Sequence, residues 1–283
     1  MSSSFKFPVP VSRGWATATS IADSSNIEFH ELSDALGVHK ISQGTSHRVV
    51  EAPEKDSTQA WEAFYPEGSI NPSGVVKGGF GFYLDGPSSF SGDFQKAQHV
   101  VAAYSVLFQD EWEFNKGGKL PGIYGGHDNF AYGCTGGRQS DRCSCFNLRL
   151  MWRKSGVGEL YAYLPDHPSN KENLEKVPPF SEQNPDYGFS VGRGAFKFRV
   201  GKWNQIVQRV KLNDVGSENG EIEIWVDGVS VVSVGGIVLR VDSQSCVHGI
   251  HFQTFFGGHT PDWASPRDQT AWFCDIAAGV VAP

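Results

Sequence analysis

Residues 145–165 read CFNLRLMWRKSGVGELYAYLP, two strictly alternating runs joined by five residues. A period of two puts Phe146, Leu148, Leu150 and Trp152 on one face of a strand, and Asn147, Arg149, Met151 and Arg153 on the other. The second run separates Glu159, Tyr161 and Tyr163 from Leu160, Ala162 and Leu164 in the same way. The KSGVG link is short enough to make the pair antiparallel. A register with Arg153 opposite Glu159 sets Met151 against Tyr161 and Arg149 against Tyr163. The apolar face of such a hairpin requires a second layer, while its polar face stays outside.

The rest of the chain supplies that layer. Further strands are expected at GGFGFYL (78–84), HVVAAYSVLFQDEWEF (99–114), AFKFRV, WNQIVQRVKL, GEIEIWVDGVSVV, GIVLRV, GIHFQTFF and TAWFCDIAAG. Asp227-Gly228 suits a primed hairpin turn. KGGKLPGIYGG (116–126) is too rich in glycine for a good helix or strand and reads as an irregular loop, and residues 165–186 as a proline-rich surface loop. A short helix is expected near residues 28–36. Roughly ten strands with little helix imply an all-β jelly roll or sandwich of two antiparallel sheets. Residues 51–283 would form it, with residues 1–50 packing on or capping it within the same domain.

Composition removes several function classes. The net charge is −7 and there is no basic run or tail, so nucleic acid is not an expected partner. The apolar run VVAAYSVLF is far shorter than a membrane span. MSSSFKFPVPVSRGW lacks the apolar core of a secretory signal, which fits a cytosolic protein or a mature secreted form. Of five cysteines, Cys134, Cys143 and Cys145 lie within twelve residues. One short disulfide there suits a secreted chain, and unpaired thiols are the alternative; the odd count leaves at least one thiol free or intermolecular. CTGGRQSDRCSC lacks the two spaced ligand pairs of a zinc site. No phosphate-binding fingerprint or calcium loop is visible. No cofactor is expected, although large sandwiches sometimes hold a structural calcium. The expected form is a monomer.

The polar hairpin face has two readings. It is a solvated face with an Arg153–Glu159 pair worth roughly a few tenths of a kcal/mol, or an anion-binding aromatic surface for a polymer, built from Asn147, Arg149, Arg153, Tyr161 and Tyr163. His251 and Gln253 share a face of HFQTF and join the second reading if their strand adjoins the hairpin. Arg209 and Lys211 share a face unless a bulge intervenes. A competing reading is a glycoside hydrolase, with Glu111 and Glu113 of QDEWEF on one strand face about 7 Å apart. A third is a non-catalytic carbohydrate-binding protein.

KGGKLPGIYGG, FNLRLMWRKSGVGELYAYLP, YGFSVGRGAFKFRVGKWNQI and GIHFQTFFGG follow one another in this order. Over residues 75–279 the chain resembles polysaccharide lyase family 14, alginate lyases and related enzymes that cleave uronic-acid polymers. The resemblance implies a concanavalin A-like jelly roll with a substrate cleft across its concave sheet, and β-elimination on an anionic polysaccharide. It implies that the essential lysine of the KLPG segment is Lys119. The family's pair of a small polar residue and an arginine falls on Asn147 and Arg149, where asparagine departs from the serine of some members. Its alternate tyrosines fall on Tyr161 and Tyr163.

Elimination at a uronate needs the carboxylate neutralised, a base at C5 and an acid at O4. Lys119 and Arg149 are expected to neutralise. Tyr163 is expected as base and also as acid, its phenolate favoured by nearby cations, with Tyr161 assisting or in the reverse role. Arg153, His251 and Gln253 would contact substrate, and His251 is the alternative base. Arg193 reads equally as structural.

Overall fold

The computed structural model describes residues 6–22, 25–55, 57–138, 140–184 and 186–282. Two sheets face each other. Numbered in chain order, one contains, from edge to edge, β11 (Glu182–Gln183), β12 (Phe189–Val191), β10 (Gly158–Tyr163), β9 (Cys145–Arg153), β8 (Gly117–Gly126), β16 (Cys246–Phe256), β6 (Phe80–Leu84) and β3 (Val38–His39). The other runs β15 (Val229–Ile237), β14 (Gly220–Val226), β13 (Trp203–Lys211), β7 (His99–Phe108), β17 (Gln269–Val281), β1 (Val11–Ala16) and β2 (Ile27–Phe29). β5 (Gln59–Tyr65) joins it through β17 and carries β4 (Arg48–Glu51). Among the described residues these strands pair antiparallel except at the short β1–β2 contact, and a single parallel bridge joins Phe108 to Val200. This is a jelly-roll-like β-sandwich with little helix.

The alternating hairpin sets the layer order. Phe146, Leu148, Leu150, Trp152, Leu160 and Ala162 are fully buried between the sheets. They meet Ile206, Val210, Ile222 and Ile224 from the other sheet. Burying one such large side chain contributes about 1.5–3 kcal/mol.

The hairpin register differs from the expected one by two residues. Arg149 faces Tyr161 and Asn147 faces Tyr163, while Glu159 faces Met151. The turn is the cause. Ser155 and Gly156 both take positive φ, and the Arg153 N–H donates to Val157 O at 2.6 Å. The loop therefore closes on Val157 rather than Glu159. A two-residue shift preserves parity, so every side chain keeps its face.

KGGKLPGIYGG is a central strand, not an irregular loop. Its glycines are required by close packing: a Cβ on Gly118 would lie 2.0 Å from the Trp152 ring, and one on Gly122 would lie 2.0 Å from Leu148 O. Pro121 is tolerated because the pairing of β8 with both neighbours shifts register across Leu120 and Pro121. Two side chains from the opposite sheet brace this bulge. Tyr104 Oη donates to Pro121 O at 3.2 Å. Gln208 accepts from Ile123 N at 2.7 Å and donates to Leu148 O at 2.8 Å.

Other expectations are also corrected. β7 ends at Phe108, and QDEWEF turns between the sheets because Trp112 and Phe114 bury into the core. AFKFRV makes single bridges at Lys197 and Val200 instead of a strand, its Phe196 and Phe198 pointing into the core. Only the start of GIVLRV is strand, within β15. Residues 28–36 hold the end of β2 and a single 3-10 turn at Asp34–Leu36, not a helix. Residues 165–186 contain an α-helix, Pro168–Leu174, begun by Pro168 at its first turn.

Candidate active site

Lys119 of β8, Asn147, Arg149 and Arg153 of β9, Tyr161 and Tyr163 of β10, and His251 and Gln253 of β16 come together on the outer face of one sheet. β8 separates β16 from the hairpin, yet the two sides meet. Gly122 is the strand partner of both His251 and Arg149, and its missing side chain lets them reach across bare backbone.

Arg149 is 1% exposed and each arm of its guanidinium is held. Nε donates to Asn147 Oδ1 at 3.1 Å, Nη1 to Gln253 Oε1 at 2.5 Å and Nη2 to Thr135 Oγ1 at 3.0 Å. Asn147 Nδ2 in turn lies 2.9 Å from His251 Nδ1. The His251 ring stacks on Tyr83 with centroids 4.2 Å apart.

Lys119 is the other basic side chain of the site. Its Nζ lies 3.4 Å above the Tyr161 ring centroid and 5.9 Å from that of Tyr163. It donates to Met151 Sδ at 2.9 Å. Beside it, Glu159 is a fully buried carboxylate. Arg153 donates to one of its oxygens at 2.5 and 2.9 Å, while Ser190 and Arg193 each donate to the other at 2.6 Å. The Arg153–Glu159 contact is thus a diagonal pair inside a buried network, not a solvated cross-strand pair. Arg193, which also bonds Glu182 at 3.0 Å, is built into the same network.

The sequence reading missed Thr135 and Arg142, which come from the segment ahead of β9. A Cys134–Cys145 disulfide ties that segment to the strand, leaving Cys143, Cys246 and Cys274 as thiols. Arg142 lies 4.9 Å from the Tyr163 ring centroid. The available signal was the pair of cysteines bracketing a polar loop directly before the hairpin. Tyr83 carried no signal that set it apart from ordinary strand residues, and Glu159 was read only as a surface partner of Arg153.

Burial dominates the titration of the site. It pushes the Lys119 amine well below the ordinary lysine range, helped by Arg149 and Arg153 and opposed by Glu159. It raises both tyrosines. For Tyr163, Arg149, Arg142 and a hydrogen bond with the Gly137 backbone oppose the rise. The expected push toward phenolate is therefore present but outweighed. His251 is held well below the ordinary imidazole range by burial, then by Arg149 and Lys119. Burial alone would raise Glu159, but the Arg153 charge and the hydrogen bonds from Arg153, Ser190 and Arg193 hold it below the usual carboxylate value.

The remaining candidates lie elsewhere. Glu111 has positive φ in the turn after β7 and pairs with Arg267, as does Glu113; neither sits on a strand face. Arg209 and Lys211 do share a face, but on β13 of the opposite sheet, where both bind Glu221. A groove of about 1040 Å³ lines that sheet with Ser105, Trp203 and Gln205. Its two cations, Lys55 and Arg199, are already paired with Asp275 and Asp227. No cluster of three or more His, Cys, Asp or Glu side chains placed to hold a metal occurs among the described residues.

Residues 53–276 match the family model for polysaccharide lyase 14. The family 14 alginate lyase of the marine animal Aplysia kurodai superposes with a TM-score of 0.73 at 32% identity, over 86% of this chain and 90% of that one. An alginate lyase from a Chlorella virus superposes with a TM-score of 0.65 at 20% identity, over 87% of this chain and 93% of that one, a likeness of fold. Comparison with curated protein sequences gave no match.

Proposed function

This chain belongs to polysaccharide lyase family 14, and we propose that it cleaves a uronic-acid polymer, alginate or a β-1,4-glucuronan, by β-elimination. The observation that carries the proposal is the site's charge pattern. In a chain of net charge −7, Arg149 and Arg153 of one sheet face, with Arg142 from the adjoining segment, surround two tyrosines and the Lys119 amine, and the carboxylate among them, Glu159, is buried and already neutralised by Arg153 and Arg193.

Arg149 supplies fixed positive charge for the uronate carboxylate and for the enolate-like intermediate. Its three acceptors hold the guanidinium in one geometry, so no reorganisation is needed as charge develops. The chemistry also requires one group without its proton and one with it. Burial drives Lys119 toward the free amine and the tyrosines toward the neutral phenol, which separates the roles. Lys119 takes the C5 proton as base. Tyr163 gives its proton to O4 as the C4–O4 bond breaks, because Arg149, Arg142 and Gly137 stabilise the phenolate left behind. The base role expected for Tyr163 passes to Lys119, and its acid role remains. Tyr161 carries the Lys119 amine on its ring face, and Gln253 acts by holding one arm of Arg149.

The Cys134–Cys145 disulfide favours an oxidising, extracellular setting, where such a polymer would be met. Product masses in ordinary water test the reaction class. Elimination adds no water, so one fragment of each cut is lighter by one water than the corresponding hydrolysis fragment. Fragments that each carry the full added water would show hydrolysis and overturn the proposal.

A further inference from the structure

We propose that Asn147 is a positioning residue that holds His251 as a neutral imidazole protonated on Nε2, a fixed hydrogen-bond donor for the uronate carboxylate. This rests on the polyuronate reading of the site.

The argument begins at Arg149, which can only donate. Its Nε lies 3.1 Å from the Asn147 side-chain oxygen, so that amide has one sensible orientation. The NH2 group must then face His251 Nδ1 at 2.9 Å. A donor aimed at Nδ1 requires a lone pair there, and the imidazole proton must sit on Nε2. A second proton is opposed by burial and by the Arg149 charge. Stacking on Tyr83 at a 15° interplanar angle fixes the ring plane.

Nε2 has no protein partner among the described residues, and it is not one of the buried polar atoms that lack one. His251 is 3% exposed, so a donor left on Nε2 is available to a bound carboxylate rather than to bulk water. A neutral donor beside a buried guanidinium suits a carboxylate. The same tautomer removes His251 from consideration as the base, since its lone pair is spent on Asn147. Asparagine at position 147 thereby gains a reason. A serine hydroxyl can rotate to donate or accept, whereas the asparagine amide, once oriented by Arg149, can only donate toward His251.

Long-range imidazole proton–nitrogen correlation spectra of the labelled full chain test the assignment without any turnover. The Nε2–H pattern for His251 is the expected result. In Asn147→Asp both side-chain oxygens accept, so His251 should move its proton to Nδ1 or become imidazolium, and kcat/KM should fall at least about tenfold. His251→Gln, which keeps an N–H donor, should lose less activity than His251→Leu. An Nδ1–H signal in the unaltered protein, or an Asn147→Asp spectrum like the unaltered one, overturns the proposal. Failure to cleave any polyuronate would sink the lyase reading instead, leaving the tautomer to the spectrum.

Discussion

Lys119 places its Nζ 3.4 Å over the centroid of the Tyr161 ring, in a site where burial holds the amine well below its ordinary pKa. The unfolded chain therefore binds that proton more tightly than the folded one. The folded state bears the full cost of a buried ammonium below the folded pKa, and the cost fades as pH rises toward the unfolded value of about 10.4. Lys119→Met removes the charge with little change in length. Turnover should fall at least roughly 100-fold, while the thermal midpoint near neutrality rises by a few degrees. Calorimetry beside an activity assay checks both; a lowered midpoint would show that the lysine stabilises the fold.

The same shifts give the pH profile a direction. The free amine of Lys119 increases as pH rises through its depressed pKa, and Tyr163 stays protonated to an elevated one. The acid limb of kcat/KM should centre below the lysine reference of about 10.4, and any alkaline limb above the tyrosine reference of about 10. Lys119→Arg should abolish the acid limb along with most activity. An alkaline limb well below the tyrosine reference would return Tyr163 to the base role.

Glu159 anchors Arg153 and Arg193 from below. Its folded pKa is depressed, so its contribution is complete above the unfolded value of about 4.3 and is lost as pH falls through the folded one. Glu159→Ala leaves two arginines facing a buried void and should cost about 3–5 kcal/mol. Urea unfolding near neutrality measures this, and the gap to the unaltered protein should narrow under acid conditions. An equal gap at both would contradict the assigned ionisation.

Gln208 reaches from the far sheet to pair with Ile123 N and Leu148 O beneath the site. Gln208→Leu leaves both backbone groups unpaired in the core, at about 1–3 kcal/mol for each. Stability should drop and kcat should drop with it, because Lys119 and Arg149 stand on the two strands it braces. A stable variant with unchanged kcat would mean that the bulge holds without the glutamine.

The hairpin was readable because each of its residues obeys period two, and parity survives an error in register. Its turn was not readable: positive φ at Ser155 decides where the loop closes, and serine does not advertise that conformation. β8 was misread because glycine and proline usually weaken a strand. Here they answer Trp152, the hairpin backbone and a bulge, all contributed by residues distant in sequence. Seven of the eight candidate side chains were visible as polar or aromatic strand positions, while Lys119 lay in a segment read as a loop and rested on the resemblance. Their meeting depends on Gly122, a residue defined by what it lacks. Thr135 and Arg142 depend on a disulfide whose pairing one sequence could not assign.

Ultraviolet absorbance followed over time, with purified protein and a panel of uronic-acid and neutral polymers, tests the central claim most directly. Elimination leaves an unsaturated C4–C5 bond that absorbs, and hydrolysis does not. The account predicts rising absorbance with at least one polyuronate, none with neutral polymers, and loss of the signal in Lys119→Met. New reducing ends without absorbance, or an undiminished signal in Lys119→Met, would contradict it.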